Sequence, residues 1–193
     1  MATAAKNTRQ RVPAEERRDA LIDAAIPEFA HGGLHGTPVA DIARRVGVAQ
    51  PYVFTLFPTK RDLFIAAVDR CFDRVIAMFE QVAAGFEPDP DDEEGLIKAF
   101  GDAYMELLGS DRSVLMLQLH AYAACGDDEV VRENVNAGYT RLSQRVQALT
   151  GMDDLKLNEF LSIGTWLTVQ AAIHGELSAE ACDWLEARKA QGL

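Results

Sequence analysis

One stretch limits this chain more than any other: TPVADIARRVGVAQPYVFTLFPTKRDL, from Thr37 to Leu63. Val39, Ile42, Ala43 and Val46 recur at helical intervals, so the first part reads as a short helix with one apolar face. Gly47 follows at once and supplies a sharp turn, where a positive φ costs glycine little. Val53, Leu56 and Phe57 give a second short helix its own buried side. Helices this short do not hold alone, so both must lie on a third. The spacing is that of a helix-turn-helix, and Gln50, Pro51, Tyr52, Phe54 and Thr55 are left facing outward.

The flanks extend the pattern. Pro13 suits the first turn of a helix running to about His31, with Leu21, Ile22, Ala25, Ile26 and Phe29 as its apolar face. Pro27 predicts a kink within it, and Gly32-Gly33 predicts its end. Thr37-Pro38 reads as a cap plus a preset first residue for the next helix. Gln50 precedes a proline, which puts the start of the second motif helix at Pro51. Thr59 and Asp62 form a capping-box pair that opens a long helix to about Ala84.

Beyond it, GFEPDPDDEEG over 85–95 reads as a solvated acidic connector. Helices are predicted at about 93–109, 112–125, 127–149, 154–174 and 178–190, punctuated by Gly109, Gly126, Gly151 and Gly175. No segment reads as a strand, so the predicted fold class is all-α.

The net charge of −11 is unevenly spread over the 193 residues. Residues 1–70 carry 10 Lys and Arg against 8 Asp and Glu, and residues 71–193 carry 9 against 22. A mildly basic head before an acidic body disfavours loose coating of nucleic acid and confines phosphate contact to the head. The three cysteines (Cys71, Cys125, Cys182) form neither a metal spacing nor a disulfide framework, and read as reduced thiols of a cytoplasmic protein. The basic start has no apolar stretch, and no apolar run is long enough to span a bilayer.

The register from ERRDALIDAAIPEFAHGGLHG (16–36) through Thr37, Asp41-Ile42-Ala43, Gly47-Val48, Phe57-Pro58, Lys60 and Leu63 to about Val68 resembles the DNA-binding domain of the TetR family of bacterial transcriptional regulators. The likeness covers roughly the first third of the chain. It implies a basic disordered tail (1–12), a three-helix DNA-binding domain (13–58, motif 38–57), a linking helix (59–84) and a C-terminal helical domain (85–193) for effector binding and dimerisation. It further implies a homodimer on a palindromic or near-palindromic double-stranded DNA operator, released by a small-molecule effector, with no cofactor and no membrane association.

The residues divide accordingly. Thr37 serves as a helix cap, a phosphate contact, or both. Lys60 lies where free backbone N–H groups favour anions, and the resemblance assigns it to phosphate. Gln50 is able to pair with adenine through two hydrogen bonds in the major groove. Tyr52 and Thr55 are suited to bases or phosphates, and Pro51 to a thymine methyl. Phe54 departs from the family's usual phosphate-binding tyrosine, and either touches sugar or packs inward. Ala49 departs from the usual serine. Of Arg44 and Arg45, one is a candidate backbone contact.

In the body, SVLMLQLHAYAACGD (113–127) is apolar nearly all round and reads as a buried helix. Tyr104, His120, Trp166 and Gln170 are candidates for one shared ligand cavity, although a lone buried histidine is more often satisfied by its neighbours. The apolar helix 157–177 reads as part core and, by the resemblance, part dimer interface together with the helix bearing Trp184 and Leu185. No catalytic or metal motif is present in the sequence, and His31 and His35 lack a third ligand. A rival reading is an all-α enzyme or ligand-binding protein whose DNA-binding head is accessory or inactive.

Overall fold

A computed structural model of the chain describes residues 13–89, 94–174 and 187. The acidic tip at 90–93, the tail at 1–12, Cys182 and the predicted helix at 178–190 with Trp184 and Leu185 lie outside them. Within the described residues the chain folds into eight α-helices and no strand. These are α1 (Ala14–Gly36), α2 (Val39–Val46), α3 (Gln50–Leu56), α4 (Lys60–Gly85), α5 (Gly95–Ser110), α6 (Arg112–Ala124), α7 (Glu129–Thr150) and α8 (Asp154–His174).

The helix ends follow local chemistry. Gly47 takes a left-handed conformation (φ 70°, ψ 34°), and its N–H returns to the carbonyls of Ala43 and Arg44 to close α2. Thr59 and Asp62 make the reciprocal capping box at the start of α4. Asp111 caps α6 and Asp128 caps α7.

Three local expectations are corrected. Helical backbone continues through Pro27, and the only non-helical dihedrals inside α1 are at Gly33 (φ 63°, ψ −173°). Thr37 does not cap α2, whose N-cap is Pro38 with no side-chain bond. Helix α3 begins at Gln50 rather than Pro51: Ala49 is the extended N-cap (φ −76°, ψ 140°), and Pro51 falls within the first turn.

The three N-terminal helices share one core. Leu21, Ile26, Phe29, Ile42, Val53, Phe57, Leu63 and Phe64 are almost wholly buried, and Phe29 meets Phe64 edge to face at 5.0 Å. That core runs without interruption along α4 into the body, where Phe79 stacks on Phe100 at 4.6 Å and Phe160 lies against both. Helix α1 runs antiparallel to α4, tied by Arg70 to Asp19 and Asp23 and by Arg74 to Asp23. Helix α7 runs in the same direction as α4, tied by Arg61–Asp128, Arg141–Asp69 and Arg145–Glu80. Gly138 permits this closeness: a Cβ there would lie 2.4 Å from the Phe72 ring.

Candidate DNA-contact surface and body cavity

Helix α3 is a seven-residue element held from one side. Val53 and the following Phe57 are about 1% exposed. Arg18 of α1 stacks over the Phe57 ring at 4.3 Å. The other side is open: Gln50, Pro51, Tyr52, Phe54 and Thr55 are all exposed. Phe54, for which both an inward and an outward placement were open, points outward and is 39% exposed beside Tyr52 at 38%. Two large aromatic rings left in water on so short a helix need a covering partner to be favourable. The Thr55 hydroxyl donates to the Tyr52 carbonyl at 2.7 Å, which leaves its oxygen free to accept.

The surroundings divide differently from the sequence expectation. Thr37 is 3% exposed, and its hydroxyl donates to the Gly33 carbonyl at 2.8 Å, with the Glu28 carbonyl at 3.0 Å. Its side chain therefore closes the broken end of α1 and is withdrawn from any phosphate. Lys60 sends its ammonium to the carbonyls of His35 (2.9 Å) and Thr37 (3.3 Å). Two of its three protons hold the α1–α2 loop, and one is left for an external anion. Arg44 pairs with Asp41 and Arg45 with Glu28, yet both remain largely exposed.

The body encloses a cavity of about 140 Å³ between α4, α5, α6, α7 and α8. Its walls are mostly apolar, among them Val75, Phe79, Leu117, Leu142 and Phe160. Helices α5 and α8 run side by side in one direction along it. Near their starts Lys156 meets Glu94 at 3.0 Å, and further on the Tyr104 hydroxyl meets Thr168 Oγ1 at 2.7 Å. The ten steps along the chain from Glu94 to Tyr104 correspond to about 15 Å of helix.

Of the four residues offered for the cavity, Tyr104 lines it and the other three do not. His120 faces the opposite way, against Gly33 of α1, where an added Cβ would sit 2.8 Å from its Nδ1. Trp166 and Gln170 lie on other faces of α8, and Trp166 is 37% exposed. A hydrophobic helix does not reveal which side meets a void, so these positions were not separable by periodicity. Gln118 and Tyr122 of the same apolar stretch, not among the four, do line the cavity and bond to each other at 2.6 Å. Burial pushes the pKa of Tyr104 and of Tyr122 above the ordinary phenol value, so both stay protonated. Glu94, expected in a solvated connector, stands at the cavity rim.

Residues 21–67, which hold α2, α3 and the buried faces beneath them, match the profile of bacterial regulatory proteins of the tetR family. These residues are similar to the N-terminal DNA-binding domain of that family. The TetR stretch is 34% identical over 71 residues to the HTH-type transcriptional activator FasR of Mycolicibacterium smegmatis, covering 37% of this chain and 32% of FasR. The match thus spans about a third of that relative's length. The fold as a whole is shared more widely. A TetR family member from Streptomyces coelicolor A3 superposes with a TM-score of 0.68 at 24% identity, over 90% of this chain and 97% of that one. The regulator FadR from Bacillus subtilis, solved in complex with stearoyl-CoA, gives 0.67 at 20% identity, over 87% and 95%. The all-α fold shared with these structures therefore extends well past the stretch in which sequence similarity is detectable.

Proposed function

We propose that this protein is a sequence-specific DNA-binding transcriptional regulator of the cytoplasm, acting as a repressor that a small-molecule effector releases from its operator. The observation that carries this reading is the open face of α3. Gln50, Pro51, Tyr52, Phe54 and Thr55 are exposed together on a helix whose far side is fully anchored. Such a helix enters a major groove as a rigid body, with Gln50 at its N-terminal end positioned to read a base edge. Pro51, Tyr52, Phe54 and Thr55 supply apolar and polar contacts around it, and Lys60 and Arg44 meet phosphate.

A homodimer supplies the second half-site. Trp166, Val169 and Ile173 on α8 are 37%, 37% and 67% exposed and recur at helical spacing, which supports an intermolecular face there. Two-fold symmetry then calls for a palindromic or near-palindromic operator.

Helix α6 offers a route from effector to DNA. Gln118 and Tyr122 face the cavity, while His120, half a turn away, rests on Gly33 at the break in α1. A ligand that displaces α6 changes the seat of α1, and α1 carries α2 and α3. The effector works by favouring one of two dimer geometries, and it shifts DNA affinity only as far as it distinguishes them.

In-vitro selection of bound DNA tests the reading. The expected product is a two-fold symmetric consensus. Gln50→Ala is expected to relax one position per half-site, at a cost of about 1–3 kcal/mol. Failure to enrich any sequence would remove the DNA-binding assignment.

A further inference from the structure

Charge is confined to one end of the body cavity. Glu94, Lys98, Lys156 and Glu159 belong to the first turns of α5 and α8, two of each sign, and the Lys156 side chain is 53% exposed. At the opposite end the fully buried Thr168 backs the Tyr104 hydroxyl, and no ionised side chain lines the cavity there. What lines that end is a group of hydrogen-bond donors.

The proton inventory there is unbalanced. Thr168 donates to the Gly164 carbonyl at 2.9 Å, so Tyr104 donates to Thr168. Gln118 and Tyr122 share one hydrogen bond at 2.6 Å. The Tyr104 hydroxyl also lies 3.5 Å from Gln118 Oε1, and in either orientation of the Gln118 amide at least one N–H or O–H proton of the pair is left without a protein acceptor. Tyr139 adds a third phenol to the lining. Donors this enclosed need acceptors, and an acyl, keto or ester oxygen is one that brings no charge. A carboxylate or ammonium at this end would be stripped of water with no opposite charge to meet it.

We propose that the cavity binds an elongated, largely apolar molecule whose buried end carries an uncharged carbonyl oxygen, which accepts a hydrogen bond from the Gln118–Tyr122 pair. This rests on the reading of the cavity as the effector site. It names the ligand by its chemistry: a neutral, medium-chain carbonyl compound rather than a free acid or an amine.

Four ten-carbon probes, 2-decanone, decanoate, decylammonium and decane, are titrated calorimetrically into the full-length protein without DNA. The expected order places 2-decanone about tenfold or more tighter than the other three, the margin of one buried hydrogen bond. The double variant Gln118→Met, Tyr122→Phe is expected to lose that margin while binding decane as before. If the variant no longer folds, shown by circular dichroism, Tyr122→Phe alone is used with the same expectation at reduced size. Decanoate or decylammonium binding as tightly as 2-decanone, an unchanged ketone preference in the variants, or no binding of any probe overturns the proposal. Release of DNA is measured separately by mobility shift with 2-decanone. A protein that binds the ketone yet keeps its DNA retains this site and loses the effector reading.

Discussion

Gly33 shows how much one residue decides. Its dihedrals (φ 63°, ψ −173°) belong to a region open to almost nothing but glycine, and His120 stands where a Cβ would go. The break frees the Gly33 carbonyl, which the Thr37 hydroxyl then takes up. That is why Thr37 is buried and not at a phosphate. Gly33→Ala is expected to destabilise by about 1–3 kcal/mol through the backbone alone, and further through the clash with His120. Adding His120→Ala should relieve the clash and leave the backbone cost. Urea denaturation of the two single variants and the double variant measures this; strictly additive effects would show that the contact is not limiting. The diglycine was legible as a helix stop. Its contact with a residue 87 positions later was not, since nothing in either segment names the other.

At the scale of elements, the head is fastened to the body by the ends of helices as much as by their faces. Asp128 caps α7 through the N–H groups of Val130 and Val131 and also pairs with Arg61 in the first turn of α4. The Val131 N–H, aided by Arg61, holds this carboxyl below its ordinary value of 3.8. A depressed carboxylate stabilises the fold above its unfolded value, and that stability is lost as pH falls through the folded one. Asp128→Asn keeps a capping side chain but cannot titrate. The parent protein is therefore expected to be the more stable of the two near neutral pH. The gap should close as pH drops below 3.8, read from urea midpoints across the acid range. A gap that stays constant with pH would exclude Asp128 as its source. The capping box at Thr59 and Asp62 was legible because both partners lie within one turn; the Arg61–Asp128 pair was hidden because it joins two helices.

For the molecule as a whole, α8 has two faces. Leu157, Leu167 and Ala171 are buried in the body, while Trp166, Val169 and Ile173 face out. Ile173→Glu places a charge on the outward face without touching the core. Light scattering is expected to show the dimer dissociating at concentrations about tenfold or more higher than for the parent, with a parallel loss of operator affinity. A variant that keeps the parent's mass at every dilution would move the interface elsewhere. The expectation of a core face came from the apolar run, and that of an assembly face from the family resemblance. Which residues are buried and which face out depended on how α8 leans against α5 and α6.

The sequence by itself determined the all-α class, the places where helices stop and the identity of the motif over Thr37–Leu63. Each of these is written in short-range chemistry: apolar spacing, caps, glycines and prolines within a turn or two of one another. Only the tertiary structure decided that Thr37 turns inward, that Lys60 clasps the carbonyls of His35 and Thr37, and that Gln118 and Tyr122 rather than His120 meet the cavity. Those outcomes depend on how helices distant in sequence are rotated against each other. A helix such as α6, apolar nearly all the way round, carries no local signal of its rotation; the packing of α1 on one side and a void on the other sets it.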